Sequence, residues 1–285
     1  MPCRPPKALV ATALVIALAV TGVAHSQNPP LPDSQQFLSD VLKTIRSNDL
    51  VRSRYTFTEK ETRYTYDASG RVVKRQHRVY EVDPSLEPDL TWRRMVSVNG
   101  VQPDDLAKRD AEHQLKVREW TAARQREGQN AREARLRREA EEDRAERAVV
   151  DELTSIYDIR MTDREAIDGR PAIVVTFDPR PGYTPRTPQG RIINHFRGRA
   201  LIDEQDRELV RMEVEVLQTV SVALGFIVRL AKGSRGLMER RKLDGESWLP
   251  TYTRFTGSGR VFFIWRVDLD QETEFTSYRK KEPGA

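Results

Sequence analysis

Leu209-Val210-Arg211-Met212-Glu213-Val214-Glu215-Val216 is the stretch on which the reading of this chain turns. Val210, Met212, Val214 and Val216 alternate with Arg211, Glu213 and Glu215. A period of two places alternate side chains on opposite faces, so one face of this strand is apolar and the other wet. The same rhythm recurs on both sides of it. Downstream, strands are expected over 224–231, 235–243, 247–256, 260–269 and 272–280, and 208–222 is read as one strand. Upstream, 158–166 and 171–178 flank Asp168-Gly169, and 198–203 precedes Glu204-Gln205-Asp206. Three further segments rich in Tyr, Thr and Val cover about 53–66, 71–82 and 90–98. Strands spaced by turn residues, without alternating helices, predict a single, strongly curved antiparallel meander.

Three segments break the rhythm. Phe37, Leu38, Val41, Leu42 and Ile45 recur at helical spacing over 34–50 and predict an amphipathic helix. Ile192, Ile193 and Phe196 share one side of a short helix over 190–196. These two helices are expected to cover an open face of the sheet. Between Asp104 and Val150, twelve Lys or Arg interleave with twelve Asp or Glu, with acid-before-base pairs four apart at Glu112/Lys116, Glu133/Arg137 and Asp143/Arg147. This predicts a long charged helical hairpin over 103–157, broken near Gly128-Gln129-Asn130 and docked at its ends by Leu106, Ala111 and Leu115 and by Ala145, Val149, Leu153 and Ile156. The fold class is therefore α+β.

The first 26 residues have the form of a secretory leader: Arg4 and Lys7, an apolar run from Ala8 to Val20, and small residues at Ala24 and Ser26. Cleavage is expected after Ser26, with 27–33 an irregular Pro-rich linker and 34–285 one domain. Removing Arg4 and Lys7 from 48 bases against 43 acids leaves a net charge of +3. That near balance, with the interleaved charges of the hairpin, argues against nucleic acid as a partner. Cys3 precedes the apolar run, so the exported protein is expected to have no disulfide, no thiol nucleophile and no lipid anchor. A location in the periplasm or outside the cell follows, with no membrane-spanning segment after cleavage.

No pattern for catalysis stands out. His77, His113 and His195 have no partner at metal-ligand spacing, so neither a metal nor another cofactor is expected. Ser234, Ser258 and the cluster Gly257-Ser258-Gly259 are read as hairpin turns rather than a nucleophile elbow or phosphate loop. Glu59 and Glu61 fall on one strand face, where a paired acid/base site is weighed against a solvated face and the solvated face is preferred. The chain is read as a non-enzyme.

The leading helix, the Tyr-rich hairpin, Gly198-Arg199-Ala200-Leu201-Ile202-Asp203 followed by Leu209-Val210-Arg211, and Trp248-Leu249-Pro250 together resemble the periplasmic lipoprotein-carrier fold of the LolA/LolB type, the outer-membrane lipoprotein-sorting protein family. The resemblance covers about 34–100 and 158–280 and leaves the charged hairpin as an insertion foreign to simple carriers. It implies an incomplete β-barrel whose apolar cavity takes a lipid or a lipoprotein acyl chain. The lining residues it implies are Tyr55, Phe57, Trp92, Val214, Val216, Phe226, Trp248, Phe263 and Trp265, each of which also fits ordinary core packing. The alternative is a periplasmic interaction, sensor or assembly module whose helices 103–157 contact another envelope protein.

Overall fold

The computed structural model describes residues 29–45, 51–67, 69–87, 90–223, 227–261 and 265–282. The leader lies outside these, and 29–33 of the linker has no regular structure. Leu31–Ala285 is one compact unit, which contains the sheet and its helices.

Among the described residues, twelve antiparallel strands form one sheet: β1 (Tyr55–Tyr66), β2 (Val72–Asp83), β3 (Trp92–Val98), β4 (Tyr157–Ile167), β5 (Arg170–Pro179), β6 (Phe196–Asp203), β7 (Leu209–Val216), β8 (Val220–Ala223), β9 (Ile227–Leu230), β10 (Arg235–Leu243), β11 (Ser247–Val261) and β12 (Trp265–Lys280). Ten of them run in the order β3-β2-β1-β12-β11-β10-β7-β6-β5-β4, and β8 joins β9, which joins β11. The sheet is not closed: β3 and β4 are its free ends. Two meanders meet where β1 pairs with β12, so the first and last strands lie side by side near the middle. Bulges at Thr56/Thr58, Val79/Tyr80, Leu201/Ile202 and Glu239/Arg240 interrupt the ladders, and each bends its strand.

The helices are α1 (Ser34–Ile45), α2 (Leu106–Gln125), α3 (Gln129–Ile156) and α4 (Pro188–Ile193). Asp33 starts α1, its carboxylate accepting from the Gln36 amide at 2.8 Å. Thr187 caps α4 by accepting from Gly190 N at 2.9 Å, and Pro188 fits the first helical position, where no amide hydrogen is needed. The charged hairpin α2–α3 connects the two free edges, leaving β3 at one end of the sheet and entering β4 at the other. Its ends dock through Leu106, Val149, Leu153 and Ile156, but Ala111, Leu115 and Ala145, expected to dock with them, are exposed, because the helix stripe they belong to runs out past the sheet edge. Leu106 and Ile156 are buried, while Leu115 and Leu136 are exposed. Glu127 binds Arg135 at 3.0 Å across the break between the helices.

Three sequence expectations are corrected. The stretch 208–222 is two strands, β7 and β8, separated by Leu217-Gln218-Thr219. The stretch 260–269 belongs to two strands, because β11 ends at Val261 and β12 begins at Trp265, its register partner. Gly257-Ser258-Gly259 is strand interior, opposite Leu269, Asp268 and Val267, rather than a turn. Glycine is needed at 257 because a Cβ there would collide with the buried Ser234 side chain. The sequence misled at all three places because strands this long and sparsely punctuated carry no local signal for where the chain reverses.

Apolar side chains cover both faces of β5 and β6. Ile173, Val175, Ala200 and Ile202 pack against Phe37 and Val41 of α1, and the alternating residues Ala172, Val174 and Leu201 pack with Val210 and Trp248 on the opposite face.

Candidate functional site

On the α1 side of the sheet, apolar side chains from seven elements line a partly open cavity of about 390 Å³. Leu38 and Val41 come from α1, Leu153 from α3 and Ile193 from α4. Tyr157 and Ile159 come from β4, Val175 and Phe177 from β5, Phe196, Ala200 and Ile202 from β6, and Leu209, Met212 and Val214 from β7. None carries a charge. The Tyr157 hydroxyl is spent on the Ile193 carbonyl, 2.5 Å away, and burial pushes this phenol well above its ordinary pKa, so it stays neutral. A cavity of this size and lining is within the range of small-molecule sites and favours alkyl chains over water.

Two short helices form its cover. Glu152, near the end of α3, holds α4 in place from outside the cavity: its carboxylate accepts from Thr187 Oγ1 at 2.6 Å, Arg186 N at 2.5 Å, Thr187 N at 3.0 Å and the Tyr183 hydroxyl at 3.0 Å. The Thr187 hydroxyl, the Arg186 and Thr187 amides and the Tyr183 hydroxyl together draw its pKa down to about 2.

The same sheet face changes character across the strands. Cross-strand partners share a face, and one row reads Val175, Ala200, Met212, Met238, Thr253, Thr273, Glu61, Arg78 from β5 to β2. It begins apolar and ends ionic. Glu59 and Glu61, expected on a solvated face, are only 7% and 5% exposed. Arg93 bonds both, and Arg78 reaches Glu61 at 3.3 Å. The Arg93 guanidinium also lies 3.4 Å from the Tyr80 ring centroid. The preferred reading failed because the arginines that cover these acids come from β2 and β3, at no fixed sequence distance. The paired acids are fully engaged in ion pairs, which makes them a structural cluster.

The six described residues among the nine named from the sequence do not share one site. Val214 lines the cavity, and Val216 is buried two positions further along the same strand. Phe57 packs with Tyr80, Val82, Met95, Phe275 and Tyr278 in a separate cluster. Tyr55 is buried, with its hydroxyl 2.9 Å from Ser247 Oγ. Trp92 and Phe57 line a second hollow of about 310 Å³, and Trp92 stacks on His113 of α2 with ring centroids 4.2 Å apart. Trp248 lies on the opposite face of the sheet from the cavity, its indole N–H donating to Asp206 at 2.9 Å. Phe226, Phe263 and the side chain of Trp265 lie outside the described residues. Much of the actual lining had a signal: the stripes of α1 and α3 and the Ile193/Phe196 pair are legible in the sequence. β5 and β6 were legible as strands but not as the cavity floor, since their two faces are equally apolar.

Among the described residues, no group of three or more His, Cys, Asp and Glu could hold a metal ion, and no helix is long and apolar enough to cross a membrane. Fold and site together define an open antiparallel sheet with an apolar cavity beneath two short helices.

No protein-family model matches the chain, and no curated protein matches it. Solved structures to which it is similar include a DUF1329 family protein from Desulfovibrio piger, 10% identical over 86% of this chain and 92% of that one, with a TM-score of 0.32. An outer membrane lipoprotein-sorting protein domain from Vibrio parahaemolyticus is 8% identical over 87% and 93%, with a TM-score of 0.31. A LolA superfamily protein from Nitrosomonas europaea is 9% identical over 89% and 96%, with a TM-score of 0.28.

Proposed function

We propose that this chain is an exported binding protein that holds a lipid or the acyl chain of a lipoprotein in the cavity between α1, α4 and β4–β7, without catalysing a reaction. One observation carries the reading: fourteen lining side chains include no charge, and the one hydroxyl among them is already bonded. Such a surface offers no acid, base or nucleophile to a substrate, and its affinity grows by about 0.8 kcal/mol per methylene buried. The leader-like residues 1–26 support export to the periplasm or beyond, and the position of Cys3 ahead of the apolar run supports the absence of a lipid anchor.

Native mass spectrometry of gently purified protein tests this. A stoichiometric lipid adduct is expected, and Ala200→Phe, which fills the cavity floor, should abolish it while the thermal transition remains cooperative. A bare mass for the wild type, or an adduct that survives in Ala200→Phe, would refute the reading.

A second reading rests on the exposure of Leu115 and Leu136 on the charged hairpin, where they have no place in the core. They suit contact with another envelope protein. Leu115→Asp/Leu136→Asp should then release a co-purifying protein without disturbing the lipid adduct, and an unchanged co-purification profile would count against it.

A further inference from the structure

On the cavity face, the register row beside the one traced above reads Ile159, Phe177, Gly198, Val214, Gly236, Phe255, Gln271, Arg63, Gln76 from β4 to β2. Ile159, Phe177 and Val214 line the cavity. Gly236 keeps the row low beside it, since a Cβ there would press on Val214 Cγ2 at 3.0 Å. The neighbouring row passes from the cavity through Met238, Thr253 and Thr273 to Glu61 and Arg78. Neither row carries a charge between the cavity and the residues of β1. From Val214 on β7 to Arg63 on β1 are four strand spacings, about 19 Å, which is close to the length of an extended fatty acyl chain.

The far end of this face is cationic. Glu59 and Glu61 are shared by four guanidiniums: Arg52 lies 4.0 Å from Glu59, Arg93 reaches both acids, and Arg78 and Arg63 lie 3.3 and 3.9 Å from Glu61. Two carboxylates against four guanidiniums leave a surplus of two positive charges. Arg52 and Arg63 hold that surplus. Their ion pairs are the longest of the set, and the Nε of each is buried with no hydrogen-bond acceptor among the described residues. Arg63 spends one terminal nitrogen on Gln271 at 3.0 Å, and Arg52 lies over the Phe57 ring. The side chains of Arg52 and Arg63 remain 42% and 39% exposed, so a ligand can reach them.

We propose that Arg52 and Arg63 form a headgroup subsite for a phosphate monoester whose acyl chain lies in the cavity. The charge count selects this class. A phosphate monoester carries about −1.5 to −2 near neutral pH and offers several acceptor oxygens, which matches two surplus guanidiniums with donors to spare. The half-buried Phe255, Met238, Thr253 and Gln271 between the two sites grade from apolar to polar, as an amphiphile does. This subsite rests on the acyl-chain reading of the cavity and narrows its ligand to a phosphate-bearing lipid.

Titration calorimetry of the full chain with oleoyl lysophosphatidic acid, and with monooleoylglycerol, which has the same chain and no phosphate, tests the proposal. The phosphate form should bind on the order of a hundredfold more tightly, and rising salt should shrink the difference. Arg63→Gln should reduce this preference to about tenfold, and Arg52→Gln/Arg63→Gln should remove most of it, with monooleoylglycerol binding as before. Arg137→Gln/Arg138→Gln, on α3, should change neither affinity. Glycerol phosphate, which lacks the chain, should bind far more weakly than the lysolipid. The salt dependence of the wild type decides the matter even where a variant melts early. Equal affinity for the two oleoyl ligands would overturn the subsite and leave the cavity reading standing. A preference that survives both substitutions or ignores salt, or glycerol phosphate binding as tightly as the lysolipid, would do the same. Binding of neither oleoyl ligand would overturn both.

Discussion

Thr187 Oγ1 donates to the Glu152 carboxylate at 2.6 Å and accepts from Gly190 N at 2.9 Å, so one hydroxyl ties the end of α3 to the first turn of α4. The cover of the cavity thus hangs on a carboxylate that is 3% exposed and lies outside the cavity. Thr187→Ala removes both links and should cost about 1 kcal/mol, the usual worth of a cap. Faster amide exchange at 190–193, with β5 and β6 unchanged, is the expected signature. Uniform exchange across all of these segments would refute this coupling.

The same carboxylate sets an acid limit. Its pKa is depressed from an ordinary 4.5 to about 2, so its stabilisation is complete above the unfolded value and is lost as pH falls from about 4.5 toward 2. Glu152→Gln should flatten the acid limb of the stability curve in this window. An acid limb identical to that of the wild type would show that Glu152 does not contribute to it.

The docking of the charged hairpin should weaken at a milder pH. Burial holds the His113 imidazole below its ordinary pKa of 6.5 while it stacks on Trp92. Depression means the folded form resists protonation, so the contribution is full above about 6.5 and declines as pH falls below it. Hydrogen-exchange protection of α2, taken relative to the intrinsic rate at each pH, should fall on acidification below that point, His113→Phe should remove the dependence, and protection constant across this range in the wild type would refute it. The Arg94–Asp110 fork, at 2.8 and 2.9 Å, keeps the first turns of α2 attached in both forms.

Glu61→Gln should destabilise the protein by about 1–3 kcal/mol, because Arg78 and Arg93 lose a buried counter-charge while retaining partial solvent access. A lowered urea midpoint with an unchanged slope is the expected result. No shift in midpoint would return Glu61 to the solvated role its spacing first suggested.

Ile173→Ala should cost about 2–5 kcal/mol, since the side chain is fully buried beneath Phe37 and Val41 and its loss leaves a void. The new space adjoins the cavity. If the cavity takes acyl chains, the adduct in native mass spectra should shift toward longer or branched lipids in this variant, and an unchanged lipid profile would place Ile173 apart from the site.

Local periodicity made most elements legible. The alternation at 209–216, the turn at Asp168-Gly169 with both residues at positive φ, and the Gly128 break between the charged helices all rest on neighbours in sequence. Glu59 and Glu61 were misread, and Trp248 proved to pack on the opposite face from the cavity, because their environments are made by strands distant in the chain.

Hydrophobic period, capping residues and turn chemistry, all short-range, were enough for the sequence to specify an α+β chain with a curved antiparallel sheet, two short covering helices and a solvated charged arm. Which apolar face becomes a cavity and which acids are buried were decided only by strand register and the meeting of β1 with β12. Alternation fixes that a strand has two faces. What each face meets depends on pairings between residues as far apart in the chain as Tyr55 and Lys280, which no local pattern encodes.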